Sequence, residues 1–387
     1  MSKKSIAVVG VGTAGLQALC HLCTWFDNNW KIISIYDPSI PPLKIGESTN
    51  SPFVDALFLG TGFNAHDHLK EIQATFKIGT LFKNWRTHDF MAPIWGGSFA
   101  LHIDSFKMKD FVLPRLKEQW KSKIEFVEKR IDNLKNLPYD YIVDCRGFPK
   151  NYSDYIQPEE MLLNHALIHN IKKPGKWNYT GHRATRNGWM FEIPLQNRQS
   201  YGYMYCDKIT STREAKKDFA KEIKVPIDQL DNIEHSFSSY YAKKVFDGRI
   251  FKNGNRAVFF EPLSANSLFV YDHINKLIIE RLQLKSIDDQ TANNRFKIKL
   301  EAIRDLIYYY YHGGSIYKTK FWDKASRLAS KGLSKSKGFR EFKTNYYHYD
   351  TLGTPYVTPA WGINSSILKI IYKQMGYNYL LYNTDKR

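Results

Sequence analysis

Apolar residues near the start of the chain recur at two spacings, which together predict a strand, a helix and a second strand. Residues 5–10 (SIAVVG) form a short β-branched run that is typical of a buried parallel strand. After a glycine-rich turn at 10–15, apolar side chains follow a helical spacing, at Leu16, Leu19, Leu22, Cys23 and Phe26. An apolar run at 31–36 predicts the next strand. This order indicates one unit of a parallel α/β sheet.

The turn GVGTAG at 10–15 has the glycine spacing of a dinucleotide site. Gly10 permits a tight turn, Gly12 lets the backbone approach a pyrophosphate, and Gly15 lets the helix pack close to the strand. Asp37 follows the second strand, where such folds place a carboxylate for the adenosine ribose; an insert at 25–30 accounts for its long spacing. We therefore expect these residues to bind the pyrophosphate and adenosine of FAD: Gly10, Gly12, Thr13, Ala14, Gly15 and Asp37.

Two later segments are consistent with further parts of the same nucleotide-binding domain, although each alone also fits an ordinary strand and turn. Residues 139–147 (YDYIVDCRG) predict a short strand that closes on a turn. Residues 253–262 (NGNRAVFFEP) predict a late strand and loop, with Gly254-Asn255 where FAD hydroxylases usually have Gly-Asp to hold the ribityl chain. A substrate region is then inserted through the middle of the module.

The predicted fold class is α/β (α+β), a Rossmann-type FAD-binding module of the glutathione-reductase/hydroxylase kind with an inserted and a C-terminal, mostly helical substrate region. The predicted boundaries are 1–95, 138–150 and 250–280 for the discontinuous FAD-binding module, 96–137 and 151–249 for the inserted substrate-side region, and 281–387 for the helical substrate-covering region.

Composition favours a packed protein that can enclose a cofactor. The 387 residues are 43% hydrophobic and 15% aromatic. No apolar run reaches the roughly 18 residues of a membrane span and no signal-peptide core is present, so we expect a cytoplasmic protein with no membrane partner. Four cysteines are too few for a disulfide framework. Cys20 and Cys23 fall inside the predicted first helix, which favours packing over redox or metal chemistry.

The formal net charge of +18 is the strongest anomaly of the composition, and it is compatible with nucleic acid, an anionic membrane surface or anionic small molecules. Residues 318–343 carry nine Lys or Arg against two acids, with Phe321 and Trp322 interleaved, a pattern that single-strand binders share. No helix-turn-helix, zinc-finger or RNA-recognition signature accompanies it. A solvated basic surface is therefore favoured over a nucleic-acid partner. The Lys, Asn and Tyr content suggests an AT-rich genome, such as that of a phage.

Four segments carry a resemblance to a known enzyme family. Residues 46–49 (GEST), followed by Pro52, resemble a GE(A/S)T-x-P turn, and residues 74–85 (ATFKIGTLFKNW) resemble a lysine-bearing segment. Residues 188–196 (GWMFEIPLQ) resemble GWxWxIPLQ, and residues 260–267 (FEPLSANS) resemble EPLESTG. In this order the segments resemble the flavin-dependent tryptophan-halogenase family, and the resemblance covers most of the chain.

The resemblance implies an FADH2-dependent halogenase, an oxidoreductase that receives reduced flavin from a separate flavin reductase. In that chemistry O2 converts the flavin to a C4a-hydroperoxide, which halide (bromide, iodide or chloride) attacks. The resulting hypohalous acid halogenates an electron-rich aromatic, indole- or phenol-like. Lys77 takes the position of the family's catalytic lysine, which would donate a hydrogen bond to the oxidant or, with a pKa depressed by burial, be halogenated itself. From the residues alone, a solvent-exposed helical lysine is the alternative.

The resemblance also assigns residues to the flavin, the halide and the substrate. Flavin contacts fall on Gly46, Glu47, Ser48, Asn255 and Leu268. The halide would lie against the backbone N–H groups of Asn266 and Ser267, because a buried anion needs preorganised donors. The substrate side, with the wall between substrate and flavin, comprises His102, Trp189, Phe191, Ile193, Pro194 and Ser264. For His102 a satisfied structural histidine, and for the wall a buried aromatic strand, are the alternatives.

Departures from the family pattern bear on the substrate. Ser264 stands where the family has a glutamate that supports the lysine and stabilises the cationic intermediate, and a hydroxyl cannot act as that base. This favours an activated ring that needs less general-base help. Phe191 replaces the family's second tryptophan, which keeps aromatic bulk and removes an indole N–H. The chain is also shorter than the family toward its C-terminus, which predicts a more open pocket and a broader substrate range.

Two other functions compete with this prediction. A flavin-dependent aromatic hydroxylase would use the same fold, and Lys77 with the segment 188–196 argues against it. A basic nucleic-acid-binding protein without catalysis would use the net charge, and its affinity would fall steeply with salt. A homo-oligomer is compatible with each of these functions.

Overall fold

The computed structural model describes residues 3–42, 46–94 and 99–340, which form four sheets flanked by eight helices. The strands, in chain order, are β1 Lys4–Val9, β2 Trp30–Tyr36, β3 Gly46–Ser48, β4 Thr75–Lys77, β5 Gly79–Lys83, β6 Phe90–Pro93, β7 Ala100–Asp104, β8 Ile124–Glu128, β9 Tyr141–Asp144, β10 Tyr155–Ile156, β11 His165–Ile171, β12 Thr180–Thr185, β13 Gly188–Pro194, β14 Gln199–Tyr205, β15 Ile233–Ser236, β16 Tyr240–Ala242, β17 Phe246–Asp247, β18 Ile250–Lys252 and β19 Val258–Phe259. The helices are α1 Thr13–Trp25, α2 Ser51–Thr61, α3 Ala65–His68, α4 Ser105–Gln119, α5 Thr212–Ile223, α6 Ser267–Leu282, α7 Asp289–His312 and α8 Lys320–Lys335.

A six-stranded sheet in the order β17-β18-β9-β1-β2-β8 is built around β1. β1 pairs in parallel with β2 on one side and with β9 on the other, and Ile6, Ala7 and Val8 are fully buried. Strands covered on both faces are expected to be continuous apolar runs, as here. The predicted strand, glycine turn, helix and strand are therefore present, with the turn at the carboxyl end of the central strand.

Helix α1 packs against helix α2, and its two cysteines are enclosed. Cys20 and Cys23 are fully buried, and burial raises the pKa of both thiols. A Cβ on Gly60 of α2 would lie 2.6 Å from the Cβ of Cys20, so the two helices touch there. Within the described ranges no cluster of His, Cys, Asp or Glu could hold a metal ion. Both cysteines pack in the core, as predicted.

A seven-stranded sheet in the order β15-β11-β14-β13-β12-β5-β6 forms the second large layer. Its strands are antiparallel except for the parallel pair β12 and β5. Because side chains alternate along β13, Met190 packs on one face with residues of β14 and α5, while Trp189 and Phe191 join the main core on the other face. Helix α5 therefore covers the outer face, and the inner face is left for the site.

The small sheet β3-β7-β4 places three polar side chains in register. His102 of β7 is paired with Ser48 of β3 on one side and with Thr75 of β4 on the other. This sheet brings the GEST turn and the strand of Lys77 to the same place. The remaining three-stranded sheet has the order β10-β16-β19.

The sheets combine segments differently from the predicted domain boundaries. β8 lies in 96–137, which was predicted to be inserted, yet it pairs in parallel with β2 in the six-stranded sheet. β5 and β6 lie in 1–95, which was assigned to the FAD module, yet they belong to the seven-stranded sheet. The physical reason is that strand pairing is a long-range contact, which the apolar spacing of a single segment does not encode.

Helices α6, α7 and α8 complete the described chain. The four side chains Tyr308–Tyr311 of α7 are buried. On α8, Lys335 forms a 2.9 Å ion pair with Glu160, so part of the basic segment has acidic neighbours. In the ranges that the structure describes, no helix is long and apolar enough to span a bilayer. The last part of the predicted C-terminal region, residues 341–387, lies outside the described residues.

Candidate functional site

The glycine turn after β1 forms an open cradle of backbone at the start of α1. Gly10 has a φ of +104°, and a Cβ there would lie 2.6 Å from the carbonyl oxygen of Cys145. A Cβ on Gly15 would lie 1.9 Å from the carbonyl oxygen of Gly10, so α1 approaches β1 as only glycine allows. A Cβ on Gly12 would meet nothing within 4 Å. The open space faces the uncapped first turn of α1, a place that suits a pyrophosphate.

The GEST turn and the late loop both meet this cradle. The Thr13 hydroxyl donates a 2.7 Å hydrogen bond to Glu47. A Cβ on Gly254 would lie 2.6 Å from the Cβ of Ala14, so the late loop closes on the first turn of α1. Desolvation raises the pKa of Glu47 to about 7. A carboxyl group that is partly neutral near pH 7 repels an anionic cofactor less than an ionised one would.

Asn255 is held by two tyrosines that sequence reasoning missed. The Tyr240 hydroxyl donates to the backbone oxygen of Asn255 at 2.6 Å, and the Tyr271 hydroxyl donates to its side-chain oxygen at 2.7 Å. Burial, with the charge of Glu47, raises the pKa of Tyr271. Leu268 is buried on the same helix, α6. The tyrosines lie on β16 and α6, outside the motif segments, and no sequence signal marked them.

Asp37 lies just beyond the carboxyl end of β2, with its carboxylate at the surface. Its side chain accepts hydrogen bonds from the Ser39 hydroxyl at 2.6 Å and from the Ser39 amide at 2.9 Å, and these lower its pKa. It is therefore an ionised acceptor at the edge where the cradle also lies. The open backbone at Gly12, the acceptor at Asp37 and the polar side chain of Asn255 together fit a dinucleotide such as FAD.

The loop before α6 has the backbone geometry of an anion site. Ser264 and Ala265 are both left-handed, with φ of 64° and 53°. The Asn266 side chain donates to the Leu263 carbonyl at 3.0 Å, and Ser267 is the first residue of α6. N–H groups at a helix start, where a left-handed residue such as Ala265 is followed by a right-handed one such as Asn266, form concave sites that bind anions. The predicted halide positions lie at this helix start.

Lys77 is a buried lysine, on strand β4. Only 5% of its surface is exposed, and its ammonium donates a 3.0 Å hydrogen bond to the backbone oxygen of Thr49. Burial lowers its pKa to about 7, because the ammonium loses water and no carboxylate among the described residues offsets that loss. The alternative of a solvent-exposed helical lysine is therefore wrong. Lys77 instead lies next to the GEST turn.

A chain of hydrogen bonds runs from the GEST turn past the strand of Lys77. The hydroxyls of Ser48 and Thr180 are 2.7 Å apart, and Thr180 lies 2.9 Å from Nε2 of His102. Nδ1 of His102 lies 3.1 Å from the Thr75 hydroxyl, which donates to the Pro194 carbonyl at 2.7 Å. Both ring nitrogens of His102 are thus occupied by protein groups. His102 holds the site together, which fits the alternative of a satisfied histidine.

The aromatic wall on β13 is anchored by a buried carboxyl group. The Trp189 indole donates to Glu261 at 3.2 Å, and the Tyr311 hydroxyl donates to the same oxygen at 2.6 Å. Burial raises the pKa of Glu261 to about 7. Phe191 packs against Gly202, where an added Cβ would lie 2.1 Å from its ring. Ile193, two residues further on β13, is buried on the same face.

Two further side chains lie at the site, and one of them, His182, was not predicted from sequence. His182 on β12 is 1% exposed, and Lys77 and burial together lower its pKa. Tyr310 lies beside Ser264, and its ring stacks on Phe82 with centroids 4.6 Å apart. His182 belongs to no recognisable motif. The alternation along β12 could have suggested that His182 and Thr180 share a face.

Comparison with known proteins identifies the family. The model of the tryptophan halogenase family matches residues 5–128 and 117–343. The tryptophan 6-halogenase ThaL of Streptomyces albogriseolus is 22% identical over 442 residues, which cover 87% of this chain and 82% of that protein. The tryptophan 7-halogenase RebH of Lentzea aerocolonigenes is 22% identical over 430 residues, 84% of this chain and 79% of that protein.

Solved structures show the same fold. The structure of a tryptophan halogenase from Shewanella frigidimarina superposes with a TM-score of 0.80 at 16% identity, covering 97% of this chain and 89% of that one. The predicted fold class is confirmed by this match. Since the family model spans most of the chain, the resemblance seen in its motifs is confirmed as well: the chain belongs to the tryptophan halogenase family and is a flavin-dependent halogenase.

Proposed function

We propose that this enzyme uses FADH2, O2 and halide to halogenate an electron-rich aromatic compound, indole- or phenol-like, through Lys77. The observation that carries the proposal is the state of this lysine. It is 5% exposed, bonded to the Thr49 carbonyl, and has a pKa of about 7. Burial of a lysine ammonium costs free energy, and a lysine without a role in the site would be more stable at the surface. Perturbed pKa values of this kind cluster at functional sites.

The flavin and the halide would be held mainly by backbone groups. When bound, reduced FAD supplies the chemistry that turns O2 and halide into hypohalous acid. The cradle around Gly12 and the first turn of α1 would hold its pyrophosphate, with Asn255 and Asp37 as further polar contacts. The N–H groups at Asn266 and Ser267 would hold the halide, because a buried anion needs donors that are already oriented.

Lys77 controls where the oxidant reacts. As an ammonium it donates a hydrogen bond to the oxygen of hypohalous acid and makes the halogen more electrophilic. As a neutral amine it can be halogenated and pass the halogen on. A pKa of about 7 makes both forms accessible near neutral pH. Trp189 and Phe191 lie on one face of β13 and would separate the substrate from the flavin.

The substrate class follows from the absence of a carboxylate at Ser264. A ring that is already activated by an indole nitrogen or a phenol oxygen forms a stabilised cation without a nearby anion. We expect a separate flavin reductase to supply FADH2. Product formation by the purified chain with FAD, a reductase and NADH tests this proposal, with bromide and a panel of indoles and phenols.

Lys77→Ala is the decisive variant, with Lys70→Ala as its control. Lys70 is an exposed lysine only seven positions away. Mass spectrometry should detect a brominated product with the unmodified chain and with Lys70→Ala. It should detect none with Lys77→Ala, which should still bind FAD in a fluorescence titration. A Lys77→Ala variant that brominates at the full rate excludes the role of the lysine, and a product that carries oxygen instead of bromine indicates a hydroxylase.

A further inference from the structure

Strand β12 directs a second histidine toward the site. Thr180 and His182 are two residues apart on this strand, so they share one face of the sheet. Thr180 contacts Ser48 and His102, which places that face against the GEST turn. In the register of the sheet, His182 lies between Phe82 on β5 and Phe191 on β13. It therefore belongs to the same layer as the aromatic wall.

The ring of His182 is enclosed by aromatic side chains, and one nitrogen is left without a partner. Its centroid lies 4.9 Å from that of Trp189 and 5.3 Å from that of Phe82. Nδ1 is sealed from solvent and has no hydrogen-bond partner. A buried polar atom without a partner costs about 1–3 kcal/mol, so such an atom calls for a functional explanation. His102, by contrast, has both nitrogens occupied.

His182 is neutral at physiological pH. Burial, with the positive charge of Lys77, lowers its pKa to about 3. The strands of the two groups are also joined directly, because the Ile78 amide, next to Lys77, donates to the backbone oxygen of Asn178, just before β12, at 2.8 Å. A neutral imidazole has a lone pair that can accept a proton.

Electrophilic halogenation needs such an acceptor. When the carbon–halogen bond has formed, the ring is a cation and must lose the proton of the same carbon. Ser264 has no carboxylate to take it. We propose that His182 accepts the proton that leaves the aromatic carbon and returns it to Lys77. This inference rests on the proposed halogenation, and it names a further catalytic residue for it.

The steps balance without another reactant. The carbon–halogen bond forms as the oxygen–halogen bond of hypohalous acid breaks, and the oxygen takes a proton from the Lys77 ammonium and leaves as water. The ring C–H bond breaks, its electron pair restores aromaticity, and the proton moves to His182. The imidazolium then protonates the neutral amine of Lys77. The net reaction converts the aromatic compound and hypohalous acid to haloaromatic and water.

The order of basicities gives the relay its direction. The ring cation is a very strong acid, so a weak base suffices to deprotonate it. Burial alone already lowers the pKa of His182 below its ordinary value of 6.5, and so below the pKa of Lys77, about 7, which makes the return of the proton favourable. Lys77 is neutral when His182 receives its proton, so the two groups do not repel each other at that moment.

A substrate isotope effect tests the relay in the complete enzyme. His182→Gln removes the basic nitrogen, and we expect kcat for bromination to fall by about 100-fold. Loss of the ring proton should then limit the rate, so ring-deuterated indole or phenol should react more slowly than the protiated compound. The unmodified chain should show no such difference. His169→Gln is the control, because His169 is a buried histidine of the same sheet whose ring accepts a hydrogen bond from the Asp231 amide. The isotope effect of this variant should match that of the unmodified chain.

The outcomes separate the two proposals. If the unmodified chain brominates no member of the panel, the proposed function is wrong and the relay falls with it. If His182→Gln brominates at the full rate without an isotope effect, the relay is wrong and the proposed function stands. FAD titration and thermal unfolding of the variant show whether a loss of rate reflects a damaged fold.

A second measurement uses the chain without flavin. In NMR spectra of protein labelled with nitrogen-15 at histidine, the chemical shifts of the His182 ring nitrogens should remain those of a neutral imidazole between pH 5 and 8. It should shift when Lys77 is replaced by methionine, because the neighbouring charge is lost. A His182 ring that takes up a proton in this range, or does not respond to Lys77→Met, would overturn the inference even if His182→Gln fails to fold.

Discussion

Replacement of Lys77 by methionine should stabilise the protein while it removes halogenation. Methionine has nearly the same length as lysine and no charge, so it fits the buried path of the side chain without a new polar group. The native lysine must keep an ammonium away from water or release its proton. Either choice makes the folded chain less stable than an apolar side chain would.

The magnitude follows from the pKa. A lysine titrates at about 7 in the fold and at 10.5 when the chain is unfolded. At pH 7 this difference costs the folded state about 4 kcal/mol. Methionine also loses the hydrogen bond to the Thr49 carbonyl, which is worth about 1 kcal/mol. We therefore expect Lys77→Met to raise the free energy of unfolding by about 3 kcal/mol at pH 7.

The stabilisation by Lys77→Met should depend on pH in one direction. Below pH 7 the lysine is protonated in both states and the full cost is present. Between pH 7 and 10.5 the unfolded chain still holds the proton that the folded chain has released, so the cost falls as the pH rises. The advantage of Lys77→Met should accordingly be largest at pH 6 to 7 and should shrink toward pH 10.

Urea unfolding of the flavin-free chain at pH 6, 7, 8.5 and 9.5 measures this dependence. Lys70→Met serves as the control, because an exposed substitution should change stability by less than about 0.5 kcal/mol at each pH. If Lys77→Met is less stable than the native chain at pH 6, or if its advantage does not vary with pH, the lysine is not the desolvated cation that the structure shows.

Two further predictions concern the cradle and the start of α4. Gly12→Ala should leave thermal stability nearly unchanged but weaken FAD binding in a fluorescence titration. Gly15→Ala should destabilise the fold by several kcal/mol, roughly as other overpacked sites do, because its Cβ would lie 1.9 Å from a carbonyl oxygen. Equal effects of the two substitutions on unfolding would contradict this packing. Asp104 accepts from two amides of α4 and pairs with Arg198, and these contacts outweigh burial and lower its pKa. Asp104→Ala should therefore cost about 2 kcal/mol at pH 7, and the difference in urea unfolding should vanish as the pH falls below 3.8.

Much of the cofactor site could be predicted because it depends on local order. The strand, the turn with Gly10, Gly12 and Gly15, and the helix are neighbours in sequence, and their geometry follows from glycine spacing and apolar periodicity. The segment around Lys77 could likewise be recognised by resemblance, whereas its contact with the GEST turn could not. In each case the signal lies within a few consecutive residues.

Tertiary structure alone decided the state of Lys77 and the presence of His182. Whether a lysine is a solvated ammonium or a buried amine depends on the segments that pack around it. For Lys77 these segments are distant in sequence, and they include those of Thr49 and His182. Likewise β8 joins the six-stranded sheet through a partner strand about 90 residues earlier, Ile124 pairing with Ile32. The sequence determined which groups are available to the chemistry. Their protonation and their neighbours arise from desolvation and strand pairing, which act between residues far apart in the chain.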